Sequence, residues 1–394
     1  MKIFEDKKEC CGCGACANIC PKAAIEMRPD ALGFLYPEVN AELCVECGLC
    51  LKVCAFKPGY DRSDNLDTPK LFAVRHKDIK EVEASRSGAM FVAVSNWILS
   101  RGGVIYGVGY SDHFRAVHKR ATSAQERDEF RGSKYVQSDT NSTFTGVLSD
   151  LNDGLYVLFS GTPCQCAGLR CFLRLRGADF SRLYVVDIVC HGVPSPYVWR
   201  DYLSLVEGKQ GAKATAVDFR DKRKFGWIAH KESFSFEGAY AYSSTYTFLF
   251  SEHIMFRHSC GVCYFTNFVR PSDLTLGDFW GWQKAVGRGF NSDDKGISLV
   301  FLNTAKGAEL FEEVNTELNY TKTTQQLCAQ HNLHSPSVIN PRREKFEKDY
   351  TSKGILYVCK KYGDLGWQNR IKILGRQINA FFYRKVAGTW KRIF

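Results

Sequence analysis

From residue 70 onward the chain alternates short apolar, β-branched runs with longer stretches whose apolar positions recur every three or four residues. The runs at 71–75, 104–110, 155–160 and 183–190 read as strands, and 89–99, 143–151, 165–174 and 196–206 as helices. Gly102-Gly103 ends the first of these helices. Strands alternating with helices in this order predict an α/β unit with a mixed sheet. Further strands at 216–220, 274–277 and 297–302 carry the expected sheet past an insertion at 210–260.

The ends of the chain follow other rules. The first sixty residues show no extended apolar period; cysteines punctuate them instead. The stretch 58–69 is polar, with Gly and Pro at intervals, and reads as a linker. From 367 to 394 cations alternate with apolar residues spaced three and four apart, the pattern of a basic amphipathic helix. Such a helix can lie on an anionic membrane or pack on its own domain or a partner subunit. The expected division is therefore 1–57, a linker at 58–69, a main domain at 70–320 and a basic helical region at 321–394.

Composition narrows the class. A hydrophobic share of 45% and a charged share of 24% are ordinary for a soluble globular protein. No run of about 18 apolar residues occurs, so no membrane-spanning helix is expected. The first residues, Met1 to Asp6, lack the apolar stretch of a secretory signal, which makes a cytoplasmic protein the expectation, with the tail a candidate contact to the inner membrane surface. The formal charge is +11, but nine cations against one acid lie after residue 353, so the body is near neutral and no nucleic-acid partner is expected.

Seventeen cysteines in a long chain with no export signal point to reduced metal ligands rather than disulfides, and nine of them fall between Cys10 and Cys54. Cys10, Cys13, Cys16 and Cys20 are spaced C-x2-C-x2-C-x3-C and are followed by Pro21. Cys44, Cys47, Cys50 and Cys54 repeat the spacing, with Ala55 in the proline position. Three thiolates within seven residues can hold three corners of an iron–sulfur cube, and the fourth reaches the other cube. By that crossing rule Cys10, Cys13, Cys16 and Cys54 hold one 4Fe–4S cluster, and Cys44, Cys47, Cys50 and Cys20 the other. Structural zinc would ask for two cysteine pairs, not two triplets with trailing cysteines. Cys11 fits no ligand position and reads as a spectator. The segment resembles the bacterial dicluster ferredoxin domain.

Four more cysteines stand at strand ends or in a paired motif: Cys164, Cys190, Cys260 and Cys263. Three readings of this set are open: a third 4Fe–4S cluster, a zinc ion, or ordinary buried thiols. Polar and glycine residues also follow the strands, where α/β sheets bind ligands. Ser87 and Gly88 open a helix and could cradle a phosphate, or Ser87 could simply cap it. Gly132, Ser133, Lys134 and Tyr135 could present a cation and an aromatic ring to a cofactor, or form a surface loop. Thr162 lies in the turn that places Cys164 at a helix start.

Taken together, the motifs Arg86-Ser87-Gly88, Gly132 through Gln137, Gly161 through Gln165, Cys190 through Ser195 and Cys260 through Gly281 resemble the family of coenzyme F420 hydrogenase/dehydrogenase beta subunits over residues 70–320. The resemblance implies an α+β or α/β architecture: a dicluster ferredoxin fold followed by a mixed-sheet flavin-binding domain. It implies FAD along Ser87-Gly88 and Gly132–Tyr135 with Thr162 nearby, favours the third cluster, and implies hydride exchange between the flavin and an organic partner. Lys134 is then a candidate to stabilise reduced flavin and His191 a candidate proton donor; the plain alternatives are a solvated lysine and a histidine fixed by a carbonyl. Asp278 is a candidate supporting group or a strand-end cap. The implied partners are a redox protein or ferredoxin and a small hydride donor or acceptor, F420-like or other. Two further readings are a ferredoxin-linked reductase serving polysaccharide or nucleotide-sugar synthesis, and a non-catalytic electron carrier. The chain departs from the family's frequent Ser-Gly-Gly by having Ala89 after Gly88.

Overall fold

The computed structural model describes residues 2–367, 369 and 371. The amphipathic pattern read at 367–394 therefore falls almost wholly outside the described residues. Among these no helix is long and apolar enough to cross a membrane.

The N-terminal module contains one antiparallel pair, β1 (Ile25–Pro29) and β2 (Leu35–Val39), and two short helices, Ala15–Ile19 and Leu49–Lys52, one after each cysteine triplet's second member. Each of these helices starts from a glycine with positive φ, Gly14 at 75° and Gly48 at 72°, a conformation a side chain would resist. The two cysteine repeats thus share one backbone shape.

The main sheet has eight strands: β3 (Asn65–His76), β4 (Val104–Ser111), β5 (Arg115–Ala121), β6 (Val157–Gly161), β7 (Leu183–Ile188), β11 (Leu274–Asp278), β12 (Ser298–Thr304) and β13 (Leu318–Lys322). Their spatial order is β13-β3-β12-β11-β7-β6-β4-β5. The central β11, β7, β6 and β4 run parallel, and both flanks are antiparallel, so the sheet is mixed.

Both faces of the central strands are covered, which explains why they read as unbroken apolar runs. Ile105, Leu158 and Val186 face the helices Met90–Leu99 and Ala305–Val314. Their neighbours Val104, Tyr106, Val157, Phe159 and Val185 face the helices Thr143–Asn152 and Pro163–Leu175. Ala15, Ile19 and Val53 of the N-terminal module join this second layer, so the module is welded to the sheet's core rather than tethered to it.

Two expectations change. The strand expected at 216–220 does not extend the main sheet: β8 (Ala216–Asp218) pairs with β9 (Glu232–Phe236), which pairs with β10 (Ala239–Ser243), in a separate small sheet. Only three residues long and not fully buried, β8 lacks the apolar faces a central strand needs. The main sheet instead gains β5 and β13, whose polar residues suit edges and hid them from a hydrophobic pattern. The second change concerns the linker. Its last five residues belong to β3, and Tyr60 is buried with its hydroxyl donating to the Val269 carbonyl at 2.5 Å. Asp61 and Asp64 pair with Arg174, and Asp64 also with Arg170. Charged side chains that look like linker in sequence are engaged in these pairs.

The turn before the helix Met90–Leu99 is tight. A Cβ on Gly88 would strike the Val74 carbonyl and the Ser298 amide, while Ala89, the helix N-cap, sits at φ 66° and ψ 20°. Left-handed alanine is strained by roughly 1–2 kcal/mol, partly offset in the unfolded chain. Ala89→Gly is expected to stabilise the protein by up to about 1 kcal/mol, whereas Gly88→Ala should cost about 1–3 kcal/mol; denaturant unfolding of the two variants checks both.

Candidate electron-transfer site

The first quartet gathers against the main domain. Burial raises the Cys16 thiol well above its ordinary value, and Cys13, Cys10 and Cys54 raise it further, so the four thiols lie within electrostatic reach of one another. Main-domain side chains satisfy the carbonyls of this loop: Arg257 Nε donates to Cys10 at 2.8 Å, Gln137 Nε2 to Cys11 at 2.9 Å and Thr140 Oγ1 to Cys13 at 2.9 Å. Without them the loop's buried polar groups would be stranded. The second quartet, Cys20, Cys44, Cys47 and Cys50, lines one cavity with Pro21 and Gly48. This end faces outward: Cys47 is exposed, and so are Leu43, Val45 and Leu51 around it.

The position two residues before each helix-starting glycine distinguishes the repeats. Both take positive φ, Gly12 at 71° and Glu46 at 50°. A Cβ on Gly12 would come within 2.7 Å of the Arg257 guanidinium, whereas Glu46 stands exposed.

Cys164, Cys190, Cys260 and Cys263 also converge, from three elements. Cys164 lies in the first turn of the helix Pro163–Leu175 behind β6, Cys190 follows β7, and the other two come from the turn His258–Val262 and its end. They line one cavity together with Cys11, His191 and Arg257. Burial pushes Cys260 up to about 12 and Cys263 up to about 11; it also raises Cys190 well above the ordinary value, with Cys260, Cys164 and Cys263 adding to it. Such a set is costly as thiolates unless something cationic sits among them. The Val193 amide already donates to Cys260 Sγ at 3.4 Å. Thr162 caps this helix, its hydroxyl 2.9 Å from Gln165 Oε1 and 3.2 Å from Cys164 Sγ; it therefore belongs with the thiols rather than with Ser87 and Gly88. Cys11 is no bystander in space: its thiol reaches both Cys13 and Cys164. Of the four remaining cysteines, Cys166, Cys328 and Cys359 are buried in apolar clusters and Cys171 is partly buried beside one.

A third gathering is cationic. Arg86 donates to the carbonyls of Arg220 and, at 2.9 Å, of Trp227. Arg220 pairs with Asp278 and donates to the Tyr135 hydroxyl at 3.3 Å, which joins the Gly132–Tyr135 stretch to the Ser87 turn. Burial would raise the Asp278 carboxyl, but Arg220 and Arg86 hold it below its usual range. Trp227 donates to Asp278 at 3.1 Å and stacks on Trp280, ring centres 4.8 Å apart. Arg86 Nε and Arg220 Nε are buried without an acceptor. By contrast, the Ser87 hydroxyl is committed to the Ile297 carbonyl at 2.5 Å, and the Gly88 amide to Ser298 Oγ at 2.9 Å. The donors left without an acceptor here are thus the two arginine Nε atoms, not the turn's own amide and hydroxyl. Lys134 Nζ is likewise engaged, by the carbonyls of Glu129 at 2.6 Å and Arg131 at 3.0 Å, while Gly132 and Ser133 are exposed. His191 Nε2 lies 2.7 Å from His253 Nε2, and burial, reinforced by His253 and His331, lowers its pKa to about 4.

Comparison with known proteins assigns both halves. Residues 9–57 match the 4Fe-4S dicluster domain. Residues 155–326 match the family described as the C terminus of the beta subunit of coenzyme F420 hydrogenase/dehydrogenase. The match to the beta-subunit model thus lies behind a match to a 4Fe–4S dicluster domain in the same chain. Among curated relatives, the F subunit of the F(420)H(2) dehydrogenase of Methanosarcina mazei is 25% identical over 170 residues, 41% of this chain and 47% of that protein. The chain thus spans about half the length of that relative. An uncharacterized ferredoxin of Methanocaldococcus jannaschii is 33% identical over 54 residues, 14% of this chain and 69% of that protein. A solved F420-reducing [NiFe] hydrogenase complex from Methanosarcina barkeri contains a chain 18% identical to this one, with a TM-score of 0.46 over 74% of this chain and 91% of that chain.

Arg220, Lys222 and Arg257 are the site residues that sequence reasoning passed over. A cationic run, Arg220 to Lys224, marks the first two, but its place beside Arg86 depends on the fold. Lys222 Nζ bonds the Val82 and Lys295 carbonyls, both at 2.5 Å, and buttresses the same turn. The crossed ligation of the dicluster domain is checked by paired variants: Cys20→Ser and Cys44→Ser should alter the same reduced-cluster signal in electron paramagnetic resonance, and Cys54→Ser the other.

Proposed function

We propose that this protein is an iron–sulfur flavoprotein oxidoreductase that passes electrons between its 4Fe–4S clusters and FAD, and hydride to or from an organic partner. The observation that carries the reading is the third thiol quartet, which shares the buried Cys11 contact with the first quartet and lines one cavity with His191.

The donor set of that quartet, four thiols and no carboxylate, suits a 4Fe–4S cluster. Arg86 and Arg220, with unpartnered buried Nε atoms, suit the phosphates of FAD, and Tyr135 and Trp280 offer aromatic surface beside them. FAD, when bound, supplies the exchange between hydride and single-electron chemistry. The protein's own contribution is a cationic setting: Asp278 fixes Arg220, and His191 and His253 form a hydrogen-bonded pair able to relay a proton.

The outward second quartet is the natural place for a redox partner protein, since Leu43, Val45 and Leu51 offer apolar contact around exposed Cys47. The F(420)H(2) dehydrogenase relative supports coenzyme F420 as the hydride partner. Among the described residues the cysteines form no disulfide, which supports a reducing compartment such as the cytoplasm.

Anaerobically purified protein is expected to contain about twelve irons per chain, since each cube holds four, and to release yellow flavin on denaturation. Cys190→Ser and Cys263→Ser should each lower iron by about four, and Arg220→Met should lower flavin with iron unchanged. Zinc in the third quartet, or a colourless denatured supernatant, would overturn the corresponding half of the reading.

A further inference from the structure

Arg257 is fully buried. Its backbone is held by the two loops that carry the third quartet: its amide donates to the Val193 carbonyl at 3.0 Å, and its carbonyl accepts from Cys260 at 3.1 Å. Its side chain points the other way, into the dicluster domain. Nε donates to the Cys10 carbonyl at 2.8 Å, Nη1 to Gln137 Oε1 at 2.9 Å, and Nη2 to the Leu35 carbonyl at 3.0 Å, with Cys10 Sγ at 3.6 Å from the same Nη2. The guanidinium carbon stands 4.0 Å from the centre of the Tyr36 ring.

Every one of these hydrogen-bond partners other than the thiol is neutral, and among the described residues no carboxylate pairs with Arg257. A guanidinium does not shed its proton in a protein, and a buried unpaired cation is strongly unfavourable. The charge therefore calls for an anion within the same wall. The groups there that can carry negative charge are thiols, Cys10 first and then Cys11 and Cys260, together with the Tyr36 hydroxyl. A 4Fe–4S cluster bound through Cys10 supplies that anion, and each added electron makes it more negative. Hydrogen bonds to the sulfurs and nearby positive charge both favour the reduced form. Beside the second quartet the cation that lines the cavity, Lys22, is exposed to solvent, which screens it.

We propose that Arg257 is the buried counter-charge that holds the reduction potential of the Cys10/Cys13/Cys16/Cys54 cluster above that of the Cys20/Cys44/Cys47/Cys50 cluster. An electron delivered by a redox partner protein at the exposed cluster then comes to rest at the inner one. One electron moves, the outer cluster is oxidised and the inner one reduced; no bond breaks and no proton is required. Arg257 acts through Cys10 as a positioning and tuning residue. The proposal rests on the dicluster domain alone, so it stands or falls independently of FAD and of the third quartet.

The test is an anaerobic redox titration of the full chain followed by electron paramagnetic resonance, the two signals assigned with the Cys20→Ser and Cys54→Ser variants. In the parent protein the inner cluster is expected to reduce first. Arg257→Met should weaken its reduction at least tenfold, a downward shift of about 59 mV for a one-electron couple, and leave the outer cluster's midpoint in place; Arg257→Lys should recover much of the shift. Gln137→Glu sets a carboxylate against the guanidinium with the packing kept, and should also lower the inner midpoint. Should Arg257→Met fail to retain the inner cluster, Gln137→Glu decides. An unchanged order and spacing of the two midpoints in a variant that retains both clusters overturns the proposal.

Discussion

Contact between the Cys13 thiol and the backbone of the helix Pro163–Leu175 governs how the rest of the molecule is arranged. A Cβ on Gly168 would lie 2.8 Å from Cys13 Sγ, closer than real side chains approach, so any larger residue would push the two halves apart. Because that approach is allowed, the same helix brings Cys164 within reach of Cys11 one turn earlier. Ala167 and Phe265 then close with Phe56 and Tyr60 into a dry seam between the cysteine sets. Short, water-free contact is the requirement here, and a loop-tethered ferredoxin would not meet it.

The small sheet β8–β10 and the helices around it serve the cationic gathering rather than the main core. They project Arg220 and Lys222 back toward the turn at Ser87, so an insertion by sequence becomes a wall by structure. Lys222 holds three carbonyls from separate segments there, which fixes the wall without needing a carboxylate.

What could be read from the sequence divides along a physical line. The parallel centre of the sheet was legible because burial on both faces forces continuous apolar runs; β5 and β13 were not, because edge strands such as Arg115–Ala121 are allowed polar residues on a solvent side. The dicluster motifs were legible because each cube takes three of its thiolates from one C-x2-C-x2-C run, a spacing the chain shows locally. Cys164, Cys190, Cys260 and Cys263 could be recognised as a set, but their convergence depends on β6, β7 and a distant turn meeting at one end of the sheet. Arg86 and Arg220 are separated by 134 positions, and no local pattern links them. Arg257 carried no signal at all, since an arginine next to histidine and serine looks like surface. Ser87 and Gly88 drew notice for the phosphate-like turn, yet their bonds are internal, and the Ala89 that breaks the family's usual glycine carries backbone strain.

The unequal surroundings of Gly12 and Glu46 carry a consequence for how the two cysteine repeats tolerate change. One backbone bend, used twice, is clamped by a neighbour in the inner copy and open to water in the outer copy. The inner loop can accept almost no variation without disturbing the arginine pressed against it. Its outer twin is free to exchange charge and bulk, so variation there can leave the interior contacts untouched.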